Sequence, residues 1–187
     1  MQDRVAHRLD KVIDVCAQLF QCLKDFEAIV LKENDAIGRS DLMELEAITE
    51  EKILYGDRTS KQIQALQEVM DLLAMDLGNI PRRTADDKQL TTFVRAANQK
   101  VKLLYPELTT KMNQFSTWSE SLKTLRVKVF AQIETNAYLV QKLLDYHRET
   151  YAFWQAVAQE SESGYGKSGK TKYGQGGPSK SLLTVRT

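Results

Sequence analysis

The run Gly164-Tyr165-Gly166-Lys167-Ser168-Gly169-Lys170-Thr171 reads G-x-x-x-x-G-K-[ST] letter for letter, the spacing with which a loop cradles phosphate. That chemistry needs a strand to deliver the loop and a following helix to aim its amides and positive end at the anion. Here helix-forming sequence comes before it, and Thr171 to Pro178 is too rich in glycine to begin a helix. Ser161 to Thr187 is also too short for the parallel sheet such a loop decorates, and no acidic strand end stands ready to hold magnesium. A segment made mainly of Gly, Lys, Ser and Thr produces this pattern by composition alone. Nucleotide binding is therefore not expected.

The other reactive side chains form no constellation. Cys16 and Cys22 stand six positions apart in a helical pattern, so they point in different directions and cannot bond within one helix. They read as packing thiols. His147 lies close to Tyr146 and Tyr151, but no second His or Cys stands three or four residues away, and His7 is remote in sequence. A histidine at a helix edge is the expectation. With no triad, paired carboxylate site or metal cluster, the chain is expected to be no enzyme and to carry no cofactor or metal.

The elements that must position everything else are helices. Before Ser161, glycine and proline are scarce while Leu, Lys, Glu, Gln and Ala abound. The net charge of +1 hides an uneven distribution: Lys167, Lys170, Lys172, Lys180 and Arg186 face Glu162 alone after position 160. The preceding part is mildly acidic. Nothing resembles the concentrated positive field of a nucleic-acid binder, and no nucleic-acid partner is expected. No run is apolar enough to cross a bilayer, and Met1-Gln2-Asp3-Arg4 leads into no signal-peptide core, so a cytoplasmic protein without membrane insertion is expected.

In the first helix, expected over 3–36, apolar residues fall at Val5, Leu9, Val12, Cys16, Leu19, Leu23, Phe26 and Val30 in alternating steps of four and three. Ile13, Phe20 and Ile29 widen the stripe beyond the needs of a two-stranded coiled coil, which favours a bundle. Gly38-Arg39-Ser40 supplies a break, with Ser40 as the expected N-cap of a second helix over 40–77. Its seam begins with Leu42, Leu45 and Ile48, resumes at Ile63, Leu66, Val69, Met70 and Leu73, and is interrupted between them by Thr49, Lys52 and Thr59. Gly78-Asn79-Ile80-Pro81 ends that helix, and Thr84 with Asp87 reads as the cap of a third over 85–104. Pro106 suits the first position of a fourth over 106–160.

That last helix would be roughly 80 Å long at 1.5 Å per residue, against about 50 Å for each of the first two. Its apolar positions continue to the end, through Val140, Leu143, Leu144, Tyr151, Trp154 and Val157. These six are the expected client-binding surface; for the first three, packing inside the bundle is an equal alternative. Asn136, set in the same seam, reads as a buried amide that fixes register. The expected architecture is all-α: an elongated antiparallel bundle of four helices over 1–160, followed by a flexible, disordered Gly/Ser/Lys-rich tail over 161–187. Tyr165, Tyr173 and the closing Ser181-Leu182-Leu183-Thr184-Val185 give that tail docking points, with base stacking the weaker use.

The stretch from Phe26 to Tyr55, FEAIVLKENDAIGRSDLMELEAITEEKILY, resembles the first hairpin of the flagellar export chaperone family FlgN, including the pattern Leu45-x-x-Ile48-Thr49-Glu50-Glu51-Lys52. The segment from Leu125 to Leu144, with Gln132, Asn136 and Leu139, is similar to the family's long final helix, and Tyr165-x-x-x-Gly169 to the start of its tail. The resemblance implies a cytosolic type III export chaperone for the hook-associated proteins FlgK and FlgL. It would keep their terminal helices from assembling early and deliver them to the export gate. It also implies a C-terminal client site and a tyrosine that contacts the gate protein FlhA, a role for which Tyr165 is the best match and Tyr173 the second. A structural coiled-coil scaffold, or a homodimer using the same seam on itself, is the alternative.

Overall fold

The computed structural model describes residues 1–78, 80 and 87–164, and the side chains of 1–78, 80 and 90–159. Four helices, α1 (Gln2–Arg39), α2 (Leu42–Asp76), α3 (Asp87–Leu104) and α4 (Thr109–Gly164), account for nearly all of them, with no strand among the described residues. The chain separates into two compact units, the first from Met1 to Gln141 and the second from Lys142 onward.

In the first unit α1 and α2 are antiparallel, tied by Arg4 to Asp76 at one end and Arg39 to Glu44 at the other. The turn between them is not built as the sequence suggests. Gly38 stays helical, and Ser40 takes the left-handed conformation (φ 55°, ψ 34°) that ends α1. Its N–H donates to Ile37 O and that of Asp41 to Ala36 O, the paired bonds that close a helix C-terminus. Asp41 then caps α2, its carboxylate accepting from Glu44 N at 3.0 Å. Ser40 is thus the stop of one helix and not the cap of the next: those two backbone bonds require a residue beyond the last helical turn, and Gly38 lies too early.

At the other turn, Gly78 follows α2 with φ 77°, the conformation its missing Cβ permits. Thr84 lies outside the described residues. Pro106 opens a single 3₁₀ turn, Pro106–Leu108, and α4 proper begins at Thr109.

The larger core joins all four helices. Val5, Leu9, Val12 and Cys16 of α1 meet Leu66 and Leu73 of α2, Phe93, Ala97 and Val101 of α3, and Met112, Phe115 and Leu122 of α4. A smaller cluster of Ile29, Ala36 and Ile48, with Leu45 and Tyr55 against it, holds the α1–α2 hairpin. The α2 seam is polar between these two cores, and Thr59 has a buried hydroxyl with no hydrogen-bond partner. Leu42, read from sequence as a seam position, is exposed (69%) because α2 starts there and its first buried contact comes at Leu45.

Lys52, the seam's other interruption, has a purpose. Its ammonium reaches both carboxylate oxygens of Glu33 on α1, at 2.9 and 3.0 Å. Glu33 in turn accepts from Asn136 Nδ2 at 2.9 Å, so one carboxylate links three helices. Asn136 is 2% exposed and fully satisfied: it also donates to Val30 O (2.8 Å) and accepts from Asn34 (2.9 Å) and Gln132 (3.0 Å). Farther along, Glu27 sits between Lys128 of α4 and Lys24, whose hydrogen bonds, Lys128's the larger, hold its carboxyl below the usual carboxylate range.

The buried-amide reading of Asn136 therefore has a stereochemical basis. Asn136→Ala strands the donors of Asn34 and Gln132 and is expected to cost about 2–3 kcal/mol. At about 2–4 °C per kcal/mol for a chain of this size, the midpoint of thermal unfolding followed by circular dichroism falls by roughly 5–10 °C.

Candidate functional site

α4 runs parallel to α1 at a nearly constant offset: Asp10 pairs with Lys111, 101 positions on, and Asn34 with Asn136, 102 positions on. α1 therefore stops, at Arg39, beside about residue 140. Up to there α4's seam is buried: Met112, Phe115, Ser119, Leu122, Leu125, Val129 and Asn136 are all covered. Val140, the last predicted client residue in the first unit, is half-buried.

In the second unit, taken by itself, the same alternation of four and three continues through Leu143, His147, Thr150, Trp154 and Val157. Leu143 is half-buried, whereas Leu144 (47%), Tyr151 (66%), Trp154 (62%) and Val157 (40%) are exposed. The six residues named from sequence thus divide into two half-buried and four open to solvent. At 100° per residue they fall within about 140° of one another around the helix, while Asp145 and Glu149 lie on the far side.

Two further exposed aromatics, Tyr146 and Phe153, escaped the sequence reading as surface residues. Seven apart, they flank the seam, a signal the heptad spacing carries once its flanks are counted along with its centre. Their rings stand edge-on to neighbours, Tyr146 to His147 at 5.8 Å and Phe153 to Trp154 at 5.5 Å between centroids. At roughly 200 Å² per aromatic side chain, the four aromatics leave on the order of 500 Å² uncovered, near the upper end for the largest apolar patch on a monomer.

The reactive groups lie elsewhere. Cys16 and Cys22 are free and buried in the first unit, and burial pushes the Cys16 thiol up to about 12, which leaves it inert as a nucleophile. His147 is exposed on α4. No cluster of metal-binding side chains exists among the described residues, and no helix there is long and apolar enough to cross a membrane. Gly164 ends α4, so a helix and not a strand leads into the phosphate-loop look-alike, whose remainder lies outside the described residues. Tyr165 and Tyr173 lie outside them too.

Compared with known proteins, residues 1–173 match a family model described as FlgN protein. No curated protein and no solved structure matches.

Proposed function

We propose a function from the premise this match supplies: the chain belongs to the FlgN family, chaperones of flagellum assembly and protein export. In our reading it is a non-enzymatic, cytoplasmic chaperone for hook-associated proteins of the FlgK and FlgL kind. It binds their amphipathic terminal helices, keeps them from assembling early, and delivers them to the export-gate protein FlhA through Tyr165, with Tyr173 in support.

The observation that carries this reading is the open apolar side of α4 after Gln141, where Leu144, Tyr151, Trp154 and Val157 stand exposed. A helix laid on such a face is gripped by anchors at i, i+3, i+4 and i+7 spacing. Burying on the order of 500 Å² of apolar surface yields about 12 kcal/mol gross, before ordering and association costs, which suits a tight but reversible complex.

The test is co-purification of the full chain with a purified hook-associated protein, followed by the same capture without residues 161–187. Binding through the apolar face survives 1 M salt, in which exposed ion pairs are screened beyond roughly 3 Å. The shortened chain is expected to hold the client within about twofold and to lose the FlhA cytoplasmic domain, since the side chains assigned to the client all precede position 160. A chain that binds no hook-associated protein, and instead forms a stable dimer by light scattering, is a scaffold and not this chaperone.

A further inference from the structure

In the first unit the α1–α2 hairpin is anchored at both ends and weakly held between them. α1 carries buried residues along its whole length, from Val5 through Leu19, Cys22 and Ile29 to Ile37, whereas α2 has none between Ile48 and Leu66, roughly 27 Å of helix at 1.5 Å per residue. Tyr55 belongs to the smaller cluster at one end of this gap, and Leu66 to the larger core at the other. The half-buried positions there include Lys52, Gly56 and Thr59. Lys52 is held by Glu33, and the buried Thr59 hydroxyl has no hydrogen-bond partner among the described residues. Gly56 is helical, and a Cβ there would meet no described atom within 4 Å, so neither a close approach nor backbone strain calls for glycine. A glycine inside a helix weakens it relative to alanine.

We infer that residues 42–59 of α2 form a strap that opens from α1 as one unit while residues 66–76 stay docked. The short turn at Ser40 and Asp41 ties one end of the strap and the continuing helix ties the other, so it opens by unwinding at Gly56 and not by swinging free. Opening breaks little: the contacts of Leu45, Ile48 and Tyr55 with Ile29 and Ala36, and the ion pairs of Lys52 with Glu33 and of Glu44 with Arg39. Stretches with few buried apolar contacts open at lower free energy than the whole molecule. The α1–α4 seam does not depend on the strap, because Asn136 bonds only to Val30, Glu33 and Asn34 of α1 and to Gln132 of its own helix. Opening uncovers Ile29 and Ala36 and takes the Lys52 ammonium off Glu33. The hairpin end thus holds an apolar surface that only the open form presents, and anything that binds this surface shifts the strap toward opening by mass action.

Hydrogen exchange of the full chain, followed by mass spectrometry at several low urea concentrations, tests the strap. Amides of residues 45–59 are expected to exchange about a hundredfold faster than those of 66–73, and to share one shallow dependence on urea. Gly56→Ala, which adds a methyl group into open space and keeps the fold, is expected to slow the exchange of 45–59 about fivefold. Ile48→Ala is expected to speed it about thirtyfold or more. Equal protection of the two stretches of α2 overturns the strap. Exchange that grades inward from Leu42, with no shared urea dependence, is the fraying of a helix end and overturns it as well. A Gly56→Ala chain in which residues 45–59 exchange as before does the same, since opening then does not pass through unwinding at that position.

Discussion

Trp154→Ala will weaken the complex with a hook-associated protein about a hundredfold while leaving the chain's own unfolding midpoint unchanged. The indole is 62% exposed, carries the largest apolar surface on the face, and stands at its centre between two flanks of aromatic and aliphatic side chains. Truncating a central tryptophan anchor costs roughly 2–4 kcal/mol of binding, and each 1.4 kcal/mol is a factor of ten. An exposed side chain outside a core is worth no more than about 0.5 kcal/mol to folding, so binding and stability separate in this variant. Isothermal titration with the purified client measures the first, and circular dichroism the second. Arg148→Ala, about 120° round the helix from Trp154 and paired only loosely with Asp145 at 4.0 Å, is the control and is expected to bind within about twofold. If both variants bind equally well, the client sits elsewhere on the chain.

Phe115→Ala produces the larger loss of stability, about 3–5 kcal/mol, and lowers the unfolding midpoint by roughly 10 °C or more. Phe115 is fully buried and meets Phe93 of α3 edge-on, 6.4 Å between ring centroids, in the part of the first unit that four helices build. Truncation there removes the ring and leaves a cavity whose walls belong to separate helices and close only partly. The informative partner is Phe130→Ala on the same helix. Phe130 is 54% exposed, with the Arg126 guanidinium 5.4 Å from its ring centroid, and its loss is expected to cost less than about 1 kcal/mol. Urea unfolding of the two variants compares them directly. Equal losses would mean that the two rings are not divided into covered and open as the structure has them.

Both predictions depend on a difference between two stretches of one helix that look alike in sequence. The steps of four and three run through Leu108, Met112 and Phe115 and again through Leu143, Trp154 and Val157, with nothing in their spacing to say which set is covered. Periodicity reports that a face is apolar, and coverage depends on where the neighbouring helices end. α1 ends at Arg39 because Ser40 and Asp41 together close it, and the α1–α4 register set around Asn136 brings that end beside about residue 140. Four of the six residues the sequence reading named on α4 are open to solvent, but that reading counted the centre of the seam and passed over its flanks, where Tyr146 and Phe153 lie.

By itself the sequence determined that the chain is helical, roughly where each helix lies, which side of each is apolar, and that Asn136 belongs inside a seam. These follow from local propensity and from a spacing that any helix converts into a face. Its motifs also carried the family resemblance from Phe26 to Tyr55, which the match over residues 1–173 bears out. Tertiary structure alone decided that Lys52 and Glu33 belong together, that Glu27 is held between Lys24 and Lys128, and that Asn136 is satisfied on all sides. Apart from the local pairs Lys24–Glu27 and Gln132–Asn136, those pairings join different helices, and no local rule fixes which of many compatible charges will meet. The same holds for the division of α4 into covered and open parts, because coverage is a property of the neighbours a residue acquires on folding.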